Sequence, residues 1–155
     1  MSSEPPIEGL HHIGIAVRSI AEALPRWTEG FGLTLKALDD VPDEKVRVAV
    51  LMAGSTRIEL IEPMGDDSSV HAFLDKRGPG IHHLAFRVKD CQQKLDAMAA
   101  AGAPVLNKVP NNGAHDCKVA FVHPKHLGGV LAELVEDPHH DDSADDGSAG
   151  REGRS

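Results

Sequence analysis

Leu10-His11-His12-Ile13-Gly14-Ile15-Ala16-Val17 returns 71 residues later as Ile81-His82-His83-Leu84-Ala85-Phe86-Arg87-Val88. Each copy is a His pair opening a strand-like apolar run. A second stretch also repeats. Arg57-Ile58-Glu59-Leu60-Ile61-Glu62-Pro63 matches Leu131-Ala132-Glu133-Leu134-Val135-Glu136-Asp137-Pro138, with one extra residue before the proline. Val48-Ala49-Val50 and Val119-Ala120-Phe121 are again 71 residues apart. A chain that repeats its strand signals at one offset is two copies of one supersecondary unit.

The pattern within each copy gives the unit. His12 to Val17 reads as a strand, with β-branched residues alternating with small ones. Ser19 is an N-cap for a helix through Ile20, Ala23, Leu24 and Trp27 that ends near Gly30 or Gly32, and Pro25 should kink it. Trp27 and Phe31 read as helix core. Leu33 to Leu38, Val46 to Met52 and Arg57 to Ile61 are three further strands, with Gly54-Ser55 as a turn. Asp66-Asp67 reads as loop, and Val70 to Arg77 as a short bridging helix. The unit then recurs: a strand from His83 to Val88, and a helix capped by Asp90 with Leu95, Met98 and Ala99 facing inward and Gly102 stopping it. Strands follow at Val105-Leu106, at Lys118 to Val122 and at Val130 to Val135. The expected fold is α+β: tandem βαβββ modules, about 8–66 and 79–137, forming a curved mixed sheet around a cleft in a single domain, 8–137.

Bulk composition narrows the class. At 155 residues with 41% apolar content, the chain can bury a core. No apolar run approaches the roughly 20 residues of a membrane span, and Met1 to Pro6 lacks the basic and apolar regions of a signal peptide. Cys91 and Cys117 are the only two cysteines. They form no disulfide framework and suggest a reducing, cytoplasmic setting. The formal charge is −8, and residues 136–155 hold seven acidic and two basic side chains. Residues 138–155 therefore read as a disordered acidic tail, in which His139 and His140 are solvated. No basic patch or aromatic platform argues for nucleic acid.

Side chains alternate faces along a strand. His12 therefore shares a face with Gly14 and Ala16, and His83 with Ala85 and Arg87. Glu59 and Glu133 each point away from apolar neighbours, so all four polar side chains take the face opposite the greasy one. A lone His or Glu in a strand is ordinarily a solvated surface residue. Two of each, at matching places in both halves, instead suggest a metal site, if the two units join edge to edge and their concave faces line one cleft. Imidazole nitrogen and carboxylate oxygen suit a divalent ion such as Co²⁺, Mn²⁺, Zn²⁺ or Fe²⁺. His11 and His82 face the other way and are read as packing or supporting residues.

These segments resemble a known family. Together with Gly80-Ile81-His82-His83, Asn112-Gly113-Ala114-His115 and Phe121-Val122-His123-Pro124-Lys125 followed by Gly128-Gly129-Val130-Leu131-Ala132-Glu133-Leu134, they resemble the vicinal oxygen chelate (glyoxalase) superfamily. Within it they resemble the methylmalonyl-CoA epimerase family, over about residues 8–137. The His-Pro-Lys segment is the most particular of them.

The resemblance implies metal ligands at His12, Glu59, His83 and Glu133, a divalent ion (Co²⁺ first, then Mn²⁺, Zn²⁺ or Ni²⁺), and an acyl-CoA thioester as substrate. It implies chelation of the thioester carbonyl and the free carboxylate, an enolate at C2, and an acid and a base to exchange the proton. Glu133 is the candidate acid/base, with Glu59 able to serve from the equivalent place. The Glu that some family members carry on the third strand is replaced by Val48 or Ala49, so one partner is unassigned; His115 and Glu44 are the lesser candidates. Lys125 reads as a contact for CoA phosphate or substrate carboxylate, or as a solvated lysine, and His115 as a substrate contact. Edge strands suggest a homodimer. The rival readings are an extradiol dioxygenase, disfavoured by the fourth ligand and by the absence of any Tyr, a glyoxalase I, and a metal-free small-molecule-binding protein.

Overall fold

The computed structural model describes residues 5–140. The first half runs β1 (Gly9–Ala16), α1 (Ile20–Thr28), β2 (Thr34–Val41), β3 (Val46–Ala53) and β4 (Thr56–Pro63). After α2 (Ser69–Arg77) come β5 (Gly80–Arg87), α3 (Cys91–Ala100), β6 (Asn111–Asn112), β7 (Lys118–Val122) and β8 (Ala132–Glu136). All the strands join one curled mixed sheet in the order β2-β3-β4-β1-β5-β8-β7-β6. β1 runs parallel to β4 and β5 parallel to β8, and the halves meet along antiparallel β1 and β5. This is the α+β arrangement of two βαβββ units expected from the repeat.

The second repeated stretch has a structural half as well as a chemical one. Glu62 Oε1 accepts from the amide of Ile20 at 2.7 Å, and Glu136 Oε1 accepts from that of Cys91 at 2.9 Å. Ile20 and Cys91 open α1 and α3. Each carboxylate thus satisfies an orphan donor and faces the positive end of the helix of its own unit. The caps repeat too: Ser19 Oγ accepts from Glu22 N and Asp90 Oδ1 from Gln93 N. Pro25 sits inside α1 without ending it.

Both faces of the sheet are packed. On the convex face, Ala49, Leu51 and Leu60 pack with Val17 and Ile20 under α1, while Ala120, Val122, Ala132 and Leu134 pack with Leu95 and Met98 of α3. The concave face has its own apolar ground. Val46, Val48, Val50 and Ile61 pack with Val70 and Leu74 of α2, and Ala85, Cys117, Val119 and Val135 pack in the other half. The face carrying the four polar residues is therefore not a non-core face, as alternation alone suggested. It is a second core with a polar centre.

Several sequence-based expectations are corrected. No strand forms at Val105-Leu106; Val105 makes one isolated bridge to Val122. Asn107 Oδ1 takes the Phe121 amide at 2.7 Å, so a side chain ends the ladder there. The eighth strand is instead Asn111–Asn112. In α3 the inward positions are Lys94, Leu95 and Met98, and Ala99 is exposed. Lys94 stays buried because its Nζ donates to the Pro5 carbonyl at 2.9 Å. Phe31 is not core. α1 ends before it, and it lies 75% exposed with only its edge-on contact to Trp27. β2 runs on to Val41, and β8 starts at Ala132 rather than Val130. The acidic tail lies, beyond His140, outside the described residues; His139 there pairs with Asp116 at 3.1 Å. Both cysteines are buried and free, and burial pushes each thiol up to about 12.

Candidate metal and acid–base site

The register explains why the four polar residues meet. Glu59 pairs with Gly14, which pairs with His83. His12 pairs with Ala85, which pairs with Glu133. Two rows thus cross the middle of the concave face, each with a carboxylate at one end, an imidazole at the other and a small residue between. The small residue is a steric requirement. A Cβ on Gly14 would stand 2.2 Å from His83 Cε1.

All four side chains are between 5% and 7% exposed. His12 Nε2 and His83 Nε2 are 3.1 Å apart, and Glu133 Oε1 lies 3.2 Å from each. Glu59 Oε1 is 3.4 Å from His12 Nε2, and Arg57 Nη1 lies 3.9 Å from the other Glu59 oxygen. Burial raises the Glu133 pKa, but the facing His83 and His12 rings outweigh it and hold the carboxyl well below the usual range. For His12, burial lowers the pKa while Glu59 and Glu133 more than reverse it.

His11 and His82 do not turn away. Each is the unpaired residue at a register shift, His11 between Leu10 and His12 on β1, His82 between Ile81 and His83 on β5. At such a bulge two neighbouring side chains can lie on one side. Both rings line the pocket. His11 Nδ1 is 2.8 Å from His12 Nδ1, and His82 Nδ1 is 2.9 Å from His83 Nδ1. Burial holds His82 down at about 4 and lowers His11.

Glu44 closes the 3₁₀ turn Pro42–Glu44 ahead of β3 and points into the same pocket. Burial, then the Glu133 charge, push its carboxyl up to about 7, against a hydrogen bond from Asn111 at 3.4 Å. The vacated place at Val48 and Ala49 is thus matched by a carboxylate from the turn before the strand. The repeat held a signal for it: Glu44 and His115 are 71 residues apart, on equivalent turns. His115 also borders the pocket, pairs with Asp39 at 2.8 Å and is exposed. Asn111, Asn112 and His115 reach Glu44, Asp43 and Asp39, so the two ends of the sheet approach across the pocket. Lys125 is elsewhere. It lies on the exposed turn Pro124–Leu127 and is not among the residues lining the pocket. Sequence reasoning gave no role to Arg57 or Asp137, both of which stand beside the pocket histidines and carboxylates.

The residues present suit a divalent ion. Donor–donor edges of 3.1, 3.2 and 3.2 Å are those of ligands about 2.1 Å from a common centre. Glu133 Oε1 is buried without a hydrogen-bond donor, an arrangement costly unless a cation meets it.

Residues 11–121 match the family model described as Glyoxalase/Bleomycin resistance protein/Dioxygenase superfamily. The ethylmalonyl-CoA/methylmalonyl-CoA epimerase of Cereibacter sphaeroides is 38% identical over 129 residues, covering 82% of this chain and 96% of that protein. The chain belongs to this superfamily and, within it, to the methylmalonyl-CoA epimerase family. YqjC of Bacillus subtilis, an uncharacterized protein, is 42% identical over 127 residues, covering 82% of this chain and 91% of YqjC. A solved methylmalonyl-CoA epimerase in complex with methylmalonyl-CoA and NH4+ superposes with a TM-score of 0.78 at 30% identity, over 86% of this chain and 97% of that one. The glyoxalase-type fold of this family is thus the fold described above. A divalent-metal centre of His and Glu is the kind of site the superfamily carries, and His12, His83 and Glu133 are grouped closely enough to hold an ion.

Proposed function

We propose that this chain is a metal-dependent isomerase that interconverts the (2R) and (2S) epimers of methylmalonyl-CoA by removing and returning the C2 proton through an enolate. The supporting observation is one pocket in which Glu44, raised to about 7, stands beside the buried cluster of His12, His83 and Glu133. A divalent ion held by His12, Glu59, His83 and Glu133 would supply Lewis acidity to the thioester carbonyl and so acidify C2–H. Co²⁺ is the ion we favour, with Mn²⁺, Zn²⁺ and Ni²⁺ able to occupy the same nitrogen and oxygen donors.

Epimerisation needs two proton-carrying groups. Glu133 is one, as the sequence suggested. Glu44 is the other, because a carboxyl near 7 can both take and give a proton at neutral pH. Glu59, in the place equivalent to Glu133, holds the ion and can stand in as acid/base. The enclosing valines, Val46, Val48 and Val119, exclude water from the reacting centre.

The acyl-CoA needs a longer surface than this pocket. A neighbouring groove shares His82 and His83 with it and runs along Phe73, Lys76, Arg77 and Val130 to Pro124. It offers two cations for phosphates and apolar ground for the pantetheine arm. Lys125 follows Pro124 in sequence, and His115 borders the reacting end; we keep both as substrate contacts. We also place the protein in the cytoplasm, which the two free buried thiols suit. No helix among the described residues is long and apolar enough to cross a membrane. Incubating Co²⁺-loaded protein with (2R)-methylmalonyl-CoA should yield the (2S) epimer, and a chelator should abolish the conversion. No conversion with any of the four ions would overturn the reading.

A further inference from the structure

The repeat is broken at one residue. Glu62 is followed directly by Pro63, whereas Glu136 is followed by Asp137 and then Pro138. The inserted residue is not idle. Asp137 Oδ2 lies 2.8 Å from His11 Nε2, and His11 Nδ1 lies 2.8 Å from His12 Nδ1. The carboxylate, two rings and the His12 Nε2 that faces the site form one continuous line. Among the described residues His82, the equivalent of His11, meets the edge of the Phe73 ring instead, at 4.9 Å.

A carboxylate only accepts hydrogen bonds. His11 must therefore carry its proton on Nε2 to donate to Asp137, which leaves His11 Nδ1 a bare acceptor. The only donor placed to meet that lone pair is His12 Nδ1–H. A neutral His12 protonated on Nδ1 has its Nε2 lone pair free, and that lone pair points at His83 and Glu133. We propose that Asp137 and His11 are positioning residues that fix His12 in the Nδ1–H form, and so make His12 the better-supported of the two imidazole ligands. This rests on the metal-site reading of His12. Histidine ligands are commonly oriented this way through their second nitrogen, and loss of the supporting group typically weakens metal binding 10–100-fold.

The test is long-range ¹H–¹⁵N NMR of ¹⁵N-histidine-labelled protein, with and without Zn²⁺, alongside Zn²⁺ affinity by chelator competition. The expected wild-type spectrum shows His12 protonated on Nδ1 and His11 on Nε2. Asp137→Ala should let His11 change tautomer and raise the Zn²⁺ Kd about 10–100-fold, and Asp137→Glu should recover most of the affinity. His11 protonated on Nδ1 in the wild type would overturn the proposal, and needs no variant to fold. So would an Asp137→Ala protein with wild-type tautomers and a Kd within about two-fold. A wild type that binds no Zn²⁺ would defeat the metal reading instead, and the metal-free spectrum would still decide the tautomers.

Discussion

Glu44 should leave a clear pH signature. Its folded carboxyl sits at about 7, above the ordinary 4.5, because burial and the Glu133 charge favour the neutral form. Where it acts as base, turnover should rise with pH through about 7, and Glu44→Gln should flatten that limb and lower the rate by roughly 10²–10⁴-fold. The same shift has a stability consequence of fixed sign. A group with a raised folded pKa contributes its full stability below the unfolded value and loses it as pH rises through the folded one. Metal-free wild type should therefore lose stability between about 4.5 and 7, by on the order of 1 kcal/mol after solvent screening, and Glu44→Gln should not. Melting curves of both proteins across that range check it. A second residue-scale prediction concerns Gly14. Adding one methyl would press on the His83 ring, so Gly14→Ala should cost about 1–3 kcal/mol and displace a metal ligand. Thermal melting would show the first effect and Zn²⁺ titration the second.

At the scale of the element, the unit keeps its two helices by paired devices. Ser19 and Asp90 cap α1 and α3, and Glu62 and Glu136 hold the same helix starts to β4 and β8. Ser19→Ala and Asp90→Ala should each cost about 1 kcal/mol, read as equal drops in denaturant midpoint; a large inequality would mean the two units are not mechanically equivalent. Leu51, fully buried under α1, should cost about 2–5 kcal/mol when cut to Ala. The elements most legible in the sequence were those with strict alternation. His12-Ile13-Gly14-Ile15-Ala16 and Lys118 to Val122 read as strands because their patterns are local. Asn111–Asn112 did not, because two asparagines have little strand propensity and are held by contacts to Glu44 and Asp43 far away in the chain. The bulges at His11 and His82 were equally hidden. A register shift belongs to a pair of strands, and a single strand's alternation cannot show it.

At the scale of the whole molecule, the 71-residue offset was the most readable fact, since it brings one His and one Glu from each half to the β1–β5 seam. It also paired Glu44 with His115, but their approach to the pocket depends on how far the sheet curls, which no local pattern encodes. Assembly is a prediction at this scale. β2 is an edge strand with Leu35 and Leu38 exposed, which supports the homodimer expected from the sequence; light scattering should give twice the chain mass, and a monomer would contradict it. The central claim is that this pocket moves a proton at C2, and the most direct measurement is deuterium uptake at that carbon. Methylmalonyl-CoA should be incubated in D₂O with Co²⁺-loaded wild type, Glu133→Gln and Glu44→Gln. Metal-dependent uptake by the wild type that collapses in Glu133→Gln and in Glu44→Gln is the result expected. Absence of uptake by the wild type with any divalent ion, or uptake unchanged in both variants, would contradict the account.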